Sequence, residues 1–261
     1  MDFLDTEGEG IVRAREMVKL FTIPHGIREE DLSLPSIAIV TFGRRMLDGL
    51  VRMSDGNRCE PWRGRNASLF LSKVGEGLIV LTKSPYGAPS AVILLEELIA
   101  FGVNRIVFVG YCGSIQDEVG LGEVVLPTHA VREEGTSYHY LPGREQCRPD
   151  RTLFGALRLK LQNRGVDARA GPVWTTDALY RETEKKIEQY RGRGVLAVDM
   201  EISALFAVGA VRTVGVVALL LVSDCFSCGR WTPGFFDPLL VEKERDISAV
   251  ILDWVGGLVG S

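Results

Sequence analysis

Val214-Gly-Val-Val-Ala-Leu-Leu-Leu-Val222 is the most apolar stretch of the chain, and Ser223-Asp224 follows it directly. It is nine residues long, whereas a membrane-spanning helix needs about 20. A near-continuous apolar run bounded by polar residues reads as a strand covered on both faces, and this one is expected to be central. Shorter runs of the same kind lie upstream: Ser36–Thr41, Gly77–Thr82, Arg105–Gly110, Glu123–Pro127, Gly171–Thr175 and Val195–Val198. Helical patterns separate them. Ser90–Phe101 sets Val92, Ile93, Leu95, Leu98 and Ile99 against Glu96 and Glu97. Pro149–Arg164 carries Leu153, Leu157 and Leu161 at four-residue spacing, with Gly165 as its stop. Arg181–Tyr190 reads as a solvated helix, Met200–Val211 as a buried one, and Pro238–Val255 as a closing amphipathic one. Strands alternating with helices predict an α/β fold. No linker or repeat divides the chain, so one domain is expected over residues 1–261, with 1–24 as an N-terminal extension.

Composition narrows the function. The 30 basic and 34 acidic residues leave a net charge of -4, and the isoelectric point is near 5.6. No basic excess marks a nucleic-acid binder. The acidic N-terminus lacks the basic-then-apolar order of a signal peptide, so a cytoplasmic protein without membrane contact is expected. Five cysteines are too few, and odd in number, for a disulfide framework. Cys225 and Cys228 form a C-x-x-C, open to a redox pair, a local disulfide or incidental thiols. No second ligand pair at matching spacing completes a zinc site, so no metal is expected.

The unusual residues cluster after strands, where an open α/β sheet gathers its ligands. Gly87-Ala-Pro-Ser90 opens a helix, and helix N-termini favour anions. Gly110-Tyr-Cys-Gly-Ser114 follows one strand and Asp199-Met-Glu201 another. Two carboxylates entering an apolar helix admit two readings. Asp199 caps it and Glu201 serves its dipole, or Glu201 turns into a cleft and accepts bonds from a sugar diol. Asp224, at the end of the apolar run, is either a turn residue or an acid placed to protonate a leaving group.

Gly87-x-Pro-Ser90, Val109-Gly-x-Cys-Gly113, Val198-Asp-Met-Glu201 and Val222-Ser-Asp224 stand in an order and spacing that resemble the nucleoside phosphorylase family. That superfamily includes purine nucleoside and uridine phosphorylases and methylthioadenosine nucleosidases, and the resemblance covers the chain from about His25 to the C-terminal helix. It implies a central mixed, twisted sheet flanked by helices. It also implies cleavage of an N-glycosidic bond with phosphate as co-substrate, without other cofactors, in a homo-oligomer of dimers assembled into a hexamer. By the same resemblance, Glu201 binds the ribose hydroxyls, Met200 packs on the sugar, and His25 approaches the 5′ end of a neighbouring subunit's ribose. Asp224, preceded by Ser223, serves purine N7. Leu179 stands where an aromatic residue adjoins the base. Gly43, Arg45, Ser90 and Tyr111 fall in the phosphate-binding segments.

The sequence departs from that pattern at the acceptor. The first phosphate loop reads Thr41-Phe-Gly-Arg-Arg45, Phe108 replaces an arginine, and Tyr111 replaces a serine or threonine. A phosphorylase would draw cations from Arg44, Arg45 or a neighbouring subunit's Arg58–Arg65 segment. A nucleosidase would use water instead, and a non-catalytic nucleoside binder would need neither. Phosphorolysis is the reading preferred on Arg45 and on Glu134–Tyr140, a segment similar to the uridine branch. Asp224 points to purines, whereas Glu134–Tyr140 leans toward uridine. Trp231 and Arg230, just beyond, are placed to stack on a base and reach a carbonyl, or simply to pack.

Overall fold

In a computed structural model, the description covers residues 4–5, 8, 10–62, 67–227 and 229–259. The strands are β1 (Ile37–Thr41), β2 (Asn57–Arg58), β3 (Leu69–Val74), β4 (Gly77–Lys83), β5 (Arg105–Ser114), β6 (Val124–Glu133), β7 (Ala168–Thr176), β8 (Ala197–Asp199), β9 (Gly215–Ser227) and β10 (Arg230–Pro233). The helices are α1 (Ala14–Thr22), α2 (Arg44–Met53), α3 (Ala88–Ala100), α4 (Arg151–Asn163), α5 (Glu184–Arg191), α6 (Ile202–Arg212) and α7 (Pro238–Val259).

The apolar run ending at Val222 forms the first part of β9, and its side chains alternate between two cores. Val216, Ala218, Leu220 and Val222 pack with residues of α3 and α6. Val217, Leu219 and Leu221 pack with residues of α2, α4 and α7. Strand side chains alternate faces with period two, so burial on both sides demands the unbroken apolar run. The sheet is mixed and twisted, in the order β10-β9-β6-β7-β8-β5-β1-β4-β3-β2, with β9 also pairing with β5. Parallel pairs β1–β4, β1–β5 and β5–β9 form its centre. Helices flank it on both faces, as expected for this fold class.

Several boundaries differ from the sequence expectation. β5 continues through Gly110–Ser114, which was expected to follow the strand. The segment stays extended because it pairs with β9 to Cys225, across a bulge at Cys112/Gly113, and with β8. β6, β7 and β9 likewise outrun their apolar cores. The helix expected from Pro149 is α4, capped by the Asp150 carboxylate on the Leu153 amide at 2.8 Å and stopped at Gly165, whose φ is 67°. On α3, Ile93 is exposed and Glu97 buried, the reverse of the simple amphipathic reading. The reason is that α1 and α6 pack on α3 in addition to the sheet. The N-terminal segment is docked through α1: Val18 is buried, and the Arg15 guanidinium donates to the Ala100 carbonyl at 2.6 Å. Among the described residues no helix is long and apolar enough to cross a membrane.

Candidate active site

The site is assembled on β5, β8 and β9. Register places Gly113 opposite Val198 of β8 on one side and Asp224 of β9 on the other. Adjacent strands lie about 4.8 Å apart, so the acidic turn after β8 and the acid of β9 face each other across one strand. Gly113 is required there. A Cβ on it would stand 2.9 Å from the Phe226 ring, 3.0 Å from Asp224 Oδ2 and 3.2 Å from a Val198 methyl.

The turn after β8 answers the question left open between capping and cleft. Glu201 itself is the N-cap residue of α6, and Asp199 serves the helix start from two residues before: its Oδ1 accepts from the Glu201 and Ile202 amides, both at 2.8 Å, and from the Thr175 hydroxyl at 3.0 Å. Burial pushes its carboxyl up to about 7, against the pull of those donors. Glu201 is turned away from its own helix. Its Oε1 accepts the Gly87 amide at 2.7 Å, at the start of α3. Gly87 adopts a φ of 90° there, a backbone region that favours glycine. Glu201 is only 6% exposed, and burial raises its carboxyl to about 8. Met200 beside it is half-buried, and Ser90 is half-buried in the first turn of α3.

A hydrogen-bonded chain behind this turn had no sequence signal beyond the resemblance of the 134–140 segment. The Ser203 amide donates to the Thr175 hydroxyl at 3.0 Å, and the Ser203 hydroxyl donates to Glu134 Oε1 at 2.8 Å. Glu134 Oε2 accepts the Ser137 amide at 2.8 Å. Glu134 is buried. The chain fixes α6, and hence the position of Glu201, against β7 and the 134–140 segment.

Asp224 is nearly buried and both of its oxygens are engaged. The Ser223 hydroxyl donates to Oδ1 at 2.7 Å, and Trp231 Nε1 donates to Oδ2 at 2.8 Å. Trp231, expected to stack on a base or pack, therefore also holds the acid while its ring stays 55% exposed. The β9–β10 pairing sets this up, because Pro233 lies opposite Asp224 and Trp231 opposite Phe226. Arg230 is exposed on β10, and Leu179 is 49% exposed in a short 3-10 turn. Glu182, which no motif marked, sits half-buried just beyond. Burial and the charges of Asp224 and Asp199 push its carboxyl up to about 7. His25 is exposed in a 3-10 turn following α1.

The expected phosphate group divides. Ser90 stays with Glu201, whereas Gly43, Arg45 and Tyr111 meet on the α2/α7 side of the sheet. Tyr111 points there because it lies one residue from Cys112, which packs on the opposite face. A Cβ at Gly43 would come within 2.5 Å of the Tyr111 hydroxyl oxygen. Arg45 and Tyr111 both bind a residue absent from the sequence expectation, the buried Glu244 of α7. Arg44 is exposed and paired with Asp48 at 2.9 Å. Phe108 stacks on Phe42 at 5.9 Å where the resemblance would place an arginine. Arg58 is exposed on β2, while Arg63, Arg65 and Cys228 lie outside the described residues. Cys225 is a free thiol. Among the described residues no cluster of three His, Cys, Asp or Glu is placed to hold a metal.

The raised carboxyls have a consequence for stability. Glu201, Asp199 and Glu182 bind protons more readily in the folded chain than unfolded. Stability contributed by their protonated forms is therefore present at low pH. It is lost as pH rises from their unfolded values near 4 toward about 7 to 8. Thermal unfolding across that window is expected to show a falling Tm. The fall should be shallower in Glu201→Gln, and an unchanged slope would contradict the burial of a titrating carboxyl there.

Comparison with known proteins places these features in context. The family model described as the phosphorylase superfamily matches residues 49–251. A guanosine phosphorylase of Halorubrum lacusprofundi is 26% identical over 223 residues, covering 85% of this chain and 92% of that protein. A uridine phosphorylase of Treponema pallidum is 35% identical, over 52% of this chain and 57% of that protein. The fold is shared with a crystal structure of purine nucleoside phosphorylase from Toxoplasma gondii in complex with immucillin-H. The TM-score is 0.80 at 20% identity, over 88% of this chain and 94% of that one.

Proposed function

Because this chain belongs to the phosphorylase superfamily, we propose that it cleaves the N-glycosidic bond of a nucleoside and transfers the pentosyl group to phosphate. The observation that carries the reading is the pair of buried carboxylates across Gly113. Glu201 is oriented by the Gly87 amide, and Asp224 is oriented by Ser223 and Trp231. Such cleavage passes through an oxocarbenium-like transition state, which needs a held sugar, a protonated or hydrogen-bonded leaving base and a placed nucleophile. Glu201 accepts from the ribose hydroxyls, with Met200 against the sugar. Asp224 serves the base, and a purine with an acceptor at N7 fits an acid better than uracil does. Leu179, Trp231 and Arg230 border the base. Phosphate is taken by Gly43, Arg45 and Tyr111, Ser90 stays beside the sugar carboxylate, and His25 serves the site of a neighbouring copy in a homo-oligomer. No cofactor beyond phosphate is invoked.

A second reading, cleavage by water, is favoured by Phe108 and by the engagement of Arg45 with Glu244. Release of free base from guanosine, inosine, adenosine and uridine, measured with and without phosphate, separates the two. The expected result is phosphate-dependent release with formation of ribose 1-phosphate, fastest on a purine nucleoside. Release without phosphate would give hydrolysis, and none would leave a nucleoside binder.

A further inference from the structure

We propose that Glu244 is an internal substitute for phosphate and sets the affinity of the site for its acceptor; this rests on the nucleoside-cleaving reading above. Arg45 presents its guanidinium edge to the Glu244 carboxylate, with Nε donating to Oε2 at 2.6 Å and Nη2 donating to Oε1. Tyr111 donates its hydroxyl to the same Oε1 at 2.8 Å. Burial and the Glu244 charge push the Tyr111 phenol far above its usual value, so it remains a donor. A planar guanidinium fork and a hydroxyl converging on an oxyanion are also what a bound phosphate requires. Here the oxyanion belongs to the chain.

Glu244 is 3% exposed on α7, and Phe42 and Phe108 stack beside the end of β1. Lys83, at the end of β4, donates to the Ser84 carbonyl at 3.1 Å and lies 5.2 Å from the centre of the Tyr86 ring. Arg45 carries one positive charge and Glu244 one negative, so the pair is neutral as it stands. Phosphate can bind Arg45 and Tyr111 only by displacing the carboxylate, and a buried charge stripped of its partner is costly. Arg45 and Glu244 also wall a cleft of about 510 Å³ between α2 and α7, which Arg52 and Arg245 line as well.

The test uses the full chain and reads phosphate separately from nucleoside. In Glu244→Gln the amide keeps an acceptor for Arg45 and Tyr111 but loses the competing charge. Its KM for phosphate is expected to fall about tenfold or more, equivalent to about 1.4 kcal/mol, with no matching change in the nucleoside KM. Titration of phosphate into the protein without nucleoside should show the same tightening. Glu244→Asp keeps the charge one methylene short of the fork and should fall between wild type and Gln. It also provides the answer if the Gln variant does not fold. An unchanged phosphate affinity in these variants would overturn the proposal. So would wild-type base release that ignores phosphate, even though the sugar and base assignments would survive. If no base is released at all, the functional reading fails, while the phosphate titration still judges Glu244.

Discussion

Glu201→Gln is expected to lower kcat/KM for every nucleoside the protein accepts by about 10²- to 10³-fold, the size expected when hydrogen bonds from two hydroxyls lose a charged acceptor. The carboxylate is buried and fixed by the Gly87 amide, so on the proposed reading a ribose would meet an acceptor whose direction is already set. Burial raises its carboxyl to about 8. Ligand hydroxyls that donate to the ionised form should therefore pull that value down on binding. Wild-type nucleoside affinity should rise with pH through the range just below 8, and the glutamine variant should lack that rise. Steady-state kinetics across pH checks both statements. A variant within a factor of two of wild type would remove Glu201 from the sugar site.

The second large effect is expected at Asp224. Asp224→Asn should reduce kcat on purine nucleosides by about 10²- to 10⁴-fold, the range for loss of a general acid. The nucleoside KM should change far less, because proton donation to the base develops in the transition state rather than on binding. The substitution keeps the side chain's size. The amide can also keep both partners, its oxygen accepting from Trp231 and its NH₂ donating to the Ser223 hydroxyl, which reverses its role. Uridine, which lacks N7, should lose less. Single-turnover base release on inosine and uridine separates these effects, and equal losses on both would point to a structural role instead.

The sheet centre was legible because two-sided burial leaves a plain mark. β1, β4, β5 and β9 each appear as unbroken apolar runs, and Asp150 and Gly165 bracket α4. α2 was missed because its core residues Met46, Leu47 and Leu50 are interleaved with Arg44, Arg45, Asp48 and Arg52, so the segment reads as a charged loop. β10 was missed because every residue in it is exposed and its order comes from pairing with β9. In the site, Glu201 and Asp224 stood out as acids at the ends of apolar segments. Glu244 did not: it lies among Glu242, Lys243, Arg245 and Asp246 on an amphipathic helix. Nothing local distinguishes it from a solvated acid, because its partner Arg45 lies 199 residues away in the chain. Glu134 was noticed for its segment rather than for its contact with Ser203, which exists only once α6 has docked.

The two-sided burial of β9 also bears on how this protein could diverge. The acid proposed to serve the leaving base is fixed to a strand whose every residue from Val216 to Val222 is locked into one core or the other. Base-side chemistry is therefore tied to the stability of the whole sheet and is slow to drift. The proposed acceptor side rests on three side chains, Arg45, Tyr111 and Glu244, which pair with one another rather than carry the central strands. Lineages from such an ancestor can change what receives the sugar long before they change what leaves it.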